Sequence, residues 1–241
     1  FLFDEAYSLE EINKIAPKIL KGYLPSKNIF CIPETSPSNS AIKNNKNLQH
    51  WVEGKKVEDS YCDLSMLLDA MRCLKNENEI NIMQKSADIA AKGHIFAMGM
   101  TKPGKYEYQI EGEILNQFMQ NGARYPAYSS IVAGGSNACT LHYVSNDSVL
   151  KDGDLLLIDA GCELESYASD ITRTYPINGK FSPPQKDIYQ IVLEAQKKAI
   201  NQVKPGNYFN DPHKAAVEVI IDGLIDLKIL KGTRDEIIEK E

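Results

Sequence analysis

DLLLIDAGCELESYASDITRTYP (residues 154–176) decides how this chain folds. Leu155, Leu156, Leu157 and Ile158 form an apolar run that closes on the carboxylate of Asp159. The pattern predicts a strand to about Cys162, a turn in ELES (residues 163–166) and a second strand through Tyr167 to Pro176. On the two-residue strand period, Asp170, Thr172 and Thr174 share one face. Asp159 then faces Asp170 across the ladder, where opposite side chains stand ~5 Å apart. A carboxylate ending so apolar a run is expected to be half-buried, and an unpaired buried charge is costly or takes up a proton. Two ionised carboxylates so close repel, so one binds a proton or both bind a cation. Oxygen ligands of this kind suit Mg²⁺ or Mn²⁺ and, with added nitrogen, other first-row ions. The spacing alone is unspecific. It leaves open a solvated hairpin with incidental aspartates and a metal-free domain in which Asp159 is protonated.

The composition fits a folded globular protein. Of 241 residues, 43% are hydrophobic and 25% charged, enough for one large domain or a large domain with part of a second. A formal net charge of −6 argues against a nucleic-acid surface, and Lys55-Lys56 and Lys197-Lys198 read as solvated faces. The five cysteines (Cys31, Cys62, Cys73, Cys139, Cys162) include no CxxC pair, which suits free thiols in a reducing cytoplasm. No apolar stretch approaches the ~20 residues of a membrane helix, and no signal peptide is visible. The chain opens on Phe1, so the expectation is a stretch taken from inside a longer product.

Along the chain, Ser8 and Glu11 cap a helix over residues 8–20, and residues 28–32 (NIFCI) read as a strand. The Pro-, Ser- and Asn-rich residues 33–47 read as loop. A short helix over 63–72 leads to a domain boundary near Cys73. Asn76 and Glu79 then cap a helix whose apolar stripe is Ile80, Met83, Ala87, Ala90 and Ala91. A second helix, about 106–121, carries Ile110, Ile114, Leu115 and Phe118 and stops at Gly122. Strands are expected in YSSIVA (128–133) and CTLHYV (139–144), separated by a Gly-rich turn. Ser182, Pro183 and Gln185 start a helix to about Val203. Asp211 and Pro212 start another, with Ala216, Val219, Ile220 and Leu224 inward. Thr233 and Glu236 cap a last one from Arg234.

Three long stretches, GARYPAYSSIVAGGSNACTLHY (122–143), IDAGCELESYASDITRTYPINGKF (158–181) and GLIDLKILKGTRDEIIEK (223–240), resemble aminopeptidase P (Xaa-Pro aminopeptidase), of the creatinase, prolidase and methionine aminopeptidase superfamily. The resemblance is dense from about Leu64 onward. It implies an α+β, pita-bread fold: two related halves around a curved antiparallel sheet. Residues 1–72 would be the C-terminal part of an N-terminal α/β, creatinase-like domain, and residues 73–241 the first part of the catalytic domain.

The implied activity is hydrolysis of the N-terminal residue from peptides with proline in second position. A hydroxide shared by two divalent metals, commonly Mn²⁺, would carry it out. Asp159 would chelate one metal and Asp170 bridge both, while His142 would hydrogen-bond the substrate near the scissile bond without ligating metal. The family's other ligands, a histidine and two glutamates, fall past Glu241, so the chain alone is expected to be inactive and nearly metal-free. The resemblance also implies a homo-oligomer, dimer or tetramer, while the charge, the cysteines and the lack of a long apolar stretch lead to the expectation of a cytoplasmic protein with no nucleic-acid or membrane partner. A prolidase restricted to dipeptides and a non-catalytic pita-bread binding module are the alternatives.

The remaining candidates read as structural. His94 is a core-edge helix residue, His213 sits in a helix's first turn, and His50 lies beside Trp51 in an ambiguous segment. Arg173 is expected to pair with a nearby carboxylate and brace the hairpin. Thr172 and Thr174 are strand residues, and Tyr167 and Cys162 are packing.

Overall fold

The computed structural model describes residues 29–31 and 61–238, with side chains from residue 68, and the chain divides into two compact units, 1–78 and 79–241. In the first unit, β1 (Ile29–Cys31) pairs in parallel with β2 (Tyr61–Asp63), and α1 (Leu64–Cys73) follows at once. The helix expected over residues 8–20, the loop expected over 33–47 and His50 lie outside the described residues. No helix among the described residues is long and apolar enough to cross a membrane.

The second unit is built on α2 (Glu77–Met100) and α3 (Glu107–Gln120). The face that α2 buries is Ser86, Ile89, Ala90, Gly93, His94 and Ala97. This corrects the expected stripe: Ile80 and Met83 are 54% and 40% exposed. The reason is closeness of approach. A Cβ on Gly93 would lie 2.8 Å from the Phe118 ring of α3, so glycine at this position lets the two helices approach. On α3 the expected stripe holds, with Ile110, Ile114 and Phe118 buried, but it begins one turn earlier with a buried carboxylate, Glu107. The Gln109 side chain accepts the Tyr106 N–H (2.9 Å) at the helix start, and Gly122 at φ +97° follows its end.

Two three-stranded antiparallel sheets follow: β3 (Tyr125–Pro126) with β6 (Cys162–Leu164) and β7 (Tyr167–Ala168), and β4 (Ile131–Gly134) with β5 (Leu155–Asp159) and β8 (Thr172–Pro176). They are two ends of one bent ribbon. Ala160 N–H donates to Ile171 O (3.1 Å) and Ser169 N–H to Cys162 O (2.9 Å), so the β5–β8 pairing runs into β6–β7 without a change of register. Glu165 and Ser166 close the hairpin with φ of +50° and +71°, the paired left-handed geometry of a tight turn. The bend falls at Gly161, where a Cβ would lie 1.7 Å from the Ser169 carbonyl oxygen. No other residue fits there.

Burial alternates along β5. Leu156 and Ile158, continued by Ala160 and Cys162, join the core made with Ile89, Ile110, Ile114 and Phe118. Full burial of each large side chain contributes roughly 1.5–3 kcal/mol. Leu155, Leu157 and Asp159 face the other way and are half-buried.

Two expected strands are corrected. Residues 128–130 are not in a strand: Pro126 pairs with Cys162 but Ile131 with Asp159, so residues 127–130 bulge out of the ladder. Residues 139–144 form no strand either. A 3₁₀ turn, Gly135–Cys139, leads into an irregular loop with His142 at φ +54° and Asn146 at φ +48°. Side chains from elsewhere satisfy that loop, as set out below, and so replace a ladder.

The C-terminal helices are α4 (Pro183–Asn201), α5 (Asp211–Asp226) and α6 (Arg234–Ile238). Gln185 accepts the Ser182 N–H (2.9 Å), as the cap pattern predicts. A Cβ on Gly223 would meet Ile191 at 2.6 Å, so α4 and α5 cross closely there. Ile221, 5% exposed, is the buried residue of α5, while Ile220 is 36% exposed. This too is a correction. Helical spacing does not choose between adjacent isoleucines.

Candidate metal centre

Asp159 ends β5 on the half-buried face, as its place after the apolar run predicts. Its direct cross-strand partner is Thr172, not Asp170. Continued one step, the same register sets Asp170 opposite Gly161, so the two aspartates are diagonal neighbours on one side of the ribbon. The expected direct opposition is thereby corrected. Diagonal neighbours still reach each other when nothing stands between them, and Gly161 contributes no side chain.

Tyr128 connects them. The bulge at residues 127–130 brings its hydroxyl to 2.5 Å from Asp159 Oδ1 and 3.0 Å from Asp170 Oδ1. Burial, followed by these two hydrogen bonds, pushes the phenol well above its usual 10.0, so it remains a donor. A phenol carries a single hydrogen, however, and two carboxylates converge on it. The ion pairs among the described residues lie elsewhere, between Lys197 and Glu194 and between Arg234 and Asp222. Arg173, expected to pair with a carboxylate, instead donates to the Thr172 carbonyl oxygen (2.8 Å). It follows the strand backbone, which offers the nearer acceptor.

Converging carboxylates with one neutral donor and no ion-pair partner among the described residues suit a divalent metal by charge and by oxygen chemistry. No third histidine, cysteine or acid joins them in a metal-holding cluster among the described residues. The pair is a partial donor set.

His94 is deeper than a core-edge residue. It is 2% exposed, and its Nε2 lies 2.9 Å from the carbonyl oxygen of Ala160, next to Asp159. Burial lowers its pKa below 6.5, and the charge of Arg173 acts in the same direction. The neutral imidazole therefore braces the strand behind the aspartates. His213 is exposed in the first turn of α5. Cys162 is buried against Ser86, and Tyr167 donates its hydroxyl to Glu79 (2.6 Å). His142 is exposed on the loop after the 3₁₀ turn and is not joined to the aspartates by a hydrogen bond.

Tyr128 and Glu107 were missed in the sequence. Tyr128 looked like any strand residue, because a bulge leaves no mark in the apolar pattern. Glu107 had a legible signal: it lies three residues before Ile110, on the stripe continued by Ile114 and Phe118.

Residues 81–235 match metallopeptidase family M24. The chain belongs to this family. The Xaa-Pro aminopeptidase of Haemophilus influenzae is 46% identical over 244 residues, covering 99% of this chain and 53% of that protein. The structure of Pseudomonas aeruginosa aminopeptidase PepP superposes with a TM-score of 0.86 at 41% identity, over 98% of this chain and 54% of that one. A Glu-to-Ala variant of Escherichia coli aminopeptidase P in complex with substrate gives 0.85 at 36% identity, with the same coverage. The M24 chain therefore has the pita-bread fold and spans about half the length of the relatives it matches. Divalent metal ions accompany a metallopeptidase family, and among the described residues the Asp159–Tyr128–Asp170 cluster offers oxygen donors suited to them.

Proposed function

We propose that these residues serve a metal-dependent aminopeptidase that hydrolyses the N-terminal residue from peptides with proline in second position. The observation that carries the reading is the convergence of Asp159 and Asp170 on one phenol, with no basic partner among the described residues. The names of the relatives supply the substrate class. Asp159 and Asp170 would hold the divalent cations, Asp159 as the ligand of one and Asp170 as a ligand shared with the second. Mn²⁺ is the proposed metal, in keeping with hard oxygen donors. Such ions, when bound, lower the pKa of water and polarise the peptide carbonyl.

The chain's own residues do the rest. Tyr128, held protonated, orients both carboxylates, and His94 fixes the strand that bears Asp159. His142 offers its imidazole to hydrogen-bond the peptide near the scissile bond. Residues 1–72 are proposed as part of a creatinase-like domain and 73–241 as part of the catalytic domain. The described thiols, Cys73, Cys139 and Cys162, are free, in keeping with a cytoplasmic location.

The test is hydrolysis of Xaa-Pro-Yaa peptides by the full-length protein with Mn²⁺, beside the 241-residue chain alone. Activity in the first and none in the second is expected, because the described donor set is partial. Cleavage of Xaa-Pro dipeptides only would make the protein a prolidase. Turnover by the short chain would refute the need for further ligands.

A further inference from the structure

The loop that carries His142 is fastened by one buried carboxylate. Glu107, 0% exposed at the start of α3, accepts four hydrogen bonds. Its Oε1 takes the Gly134 N–H (2.7 Å) and Asn137 Nδ2 (3.0 Å), and its Oε2 takes the Ser148 N–H (3.0 Å) and the Tyr143 hydroxyl (2.8 Å). The Glu107 N–H donates in return to the Ser148 carbonyl oxygen (3.0 Å), which closes a two-way clamp. Gly134 enters the loop, Ser148 leaves it, and Tyr143 is the neighbour of His142. The first turn of a helix is also where amide dipoles favour an acidic side chain.

Asn146 adds a second anchor. Its Oδ1 accepts the Val132 N–H (2.9 Å), and its Nδ2 donates to the Ser130 carbonyl oxygen (2.9 Å) and to Glu111 Oε2 (3.0 Å). Between these anchors His142 takes a left-handed φ of +54°. A non-glycine residue keeps that conformation only where its surroundings enforce it. Its ring is exposed and makes no hydrogen bond among the described residues. The clamp thus orders the backbone of a side chain that the fold itself does not use.

We propose that Glu107 is the positioning residue for His142: its buried carboxylate fixes both ends of the 134–148 loop and so presents the imidazole to the peptide substrate. This rests on the role given to His142 above. Glu107→Gln keeps the shape but turns an amide donor toward donors, two of which are backbone N–H groups that cannot rotate away.

In the full-length protein with Mn²⁺, E107Q is expected to lower kcat/KM on an Xaa-Pro-Yaa peptide by ~10- to 100-fold. Mn²⁺ affinity should stay unchanged, and amide exchange in residues 135–147 should speed up. The decisive readout is the double variant: E107Q/H142A should be no slower than H142A. Tyr143→Phe, which takes the hydroxyl away from Glu107, Asn137 and Asp147 without opposing donors, should give a smaller loss of the same kind and serves if E107Q does not fold. Losses that multiply in the double variant, or full activity in E107Q, would overturn the proposal. A wild-type protein without peptidase activity would instead overturn the functional reading beneath it.

Discussion

Asp159 and Asp170 are placed by backbone. A continuous antiparallel register, bent at Gly161, fixes which side of the ribbon they occupy and how far apart they stand. His142 is placed by side chains, through Glu107 and Asn146, which reach the loop from a helix and from the loop's own far end. The two regions fail differently. A ladder survives the loss of most single side chains but not a change in its backbone path, whereas a loop without a ladder depends on a few buried polar atoms.

The largest effect should follow from breaking the ribbon. Gly161→Ala puts a Cβ against the Ser169 carbonyl, where backbone would have to move. It should cost about 3 kcal/mol or more of stability and abolish metal binding. Urea unfolding and metal titration check this. A variant within experimental error of wild type would mean that the bend is not what sets the aspartates.

The loop gives the next largest effect. Asn146→Ala leaves the buried Val132 N–H without its acceptor and forces alanine into φ +48°. A loss of about 2 kcal/mol is expected, with metal affinity intact. If the affinity fell as well, the two regions would not be separable.

Tyr128→Phe sharpens the contrast at the ribbon itself, by keeping the backbone and removing the shared donor. A loss of ~10-fold in Mn²⁺ affinity, with little change in stability, is expected by calorimetry. An unchanged affinity would reduce the phenol to packing.

The smallest effect concerns Tyr175 on β8, whose hydroxyl lies 2.9 Å from Thr101 Oγ1 and whose pKa burial raises to about 12 from 10.0. The folded state favours the protonated phenol, so this stabilisation is complete below pH 10 and is lost as the pH rises toward 12. Tyr175→Phe should therefore flatten the alkaline limb of the stability profile above pH 10. An identical slope in the variant would assign the alkaline loss to other groups.

The sequence discloses the ribbon far better than the loop, and for the same physical reason. Side chains alternate along a strand, so LLLID and DITRT announce their faces, and the half-buried setting of Asp159 follows from Leu156 and Ile158 being buried. What escaped was the offset of Asp170 from Asp159, since register depends on where the turn at Glu165 and Ser166 falls. Residues 139–144 read as strand because Thr, Tyr and Val suit one. The partners that hold them, Glu107 above all, lie too far back for a local pattern to reveal. The α2 stripe failed on another count. Of the expected stripe Ala90 is buried, and the face turns toward Ile89, Gly93 and His94, with Gly93 placed against Phe118.

The most direct measurement is a calorimetric titration of the full-length protein with Mn²⁺, beside Asp170→Asn and Asp159→Asn. If both carboxylates grip the same pair of ions, wild type takes up two ions per chain, D170N loses tight binding of both, and D159N keeps one at most. Two tight ions in D170N, bound as in wild type, would contradict the account.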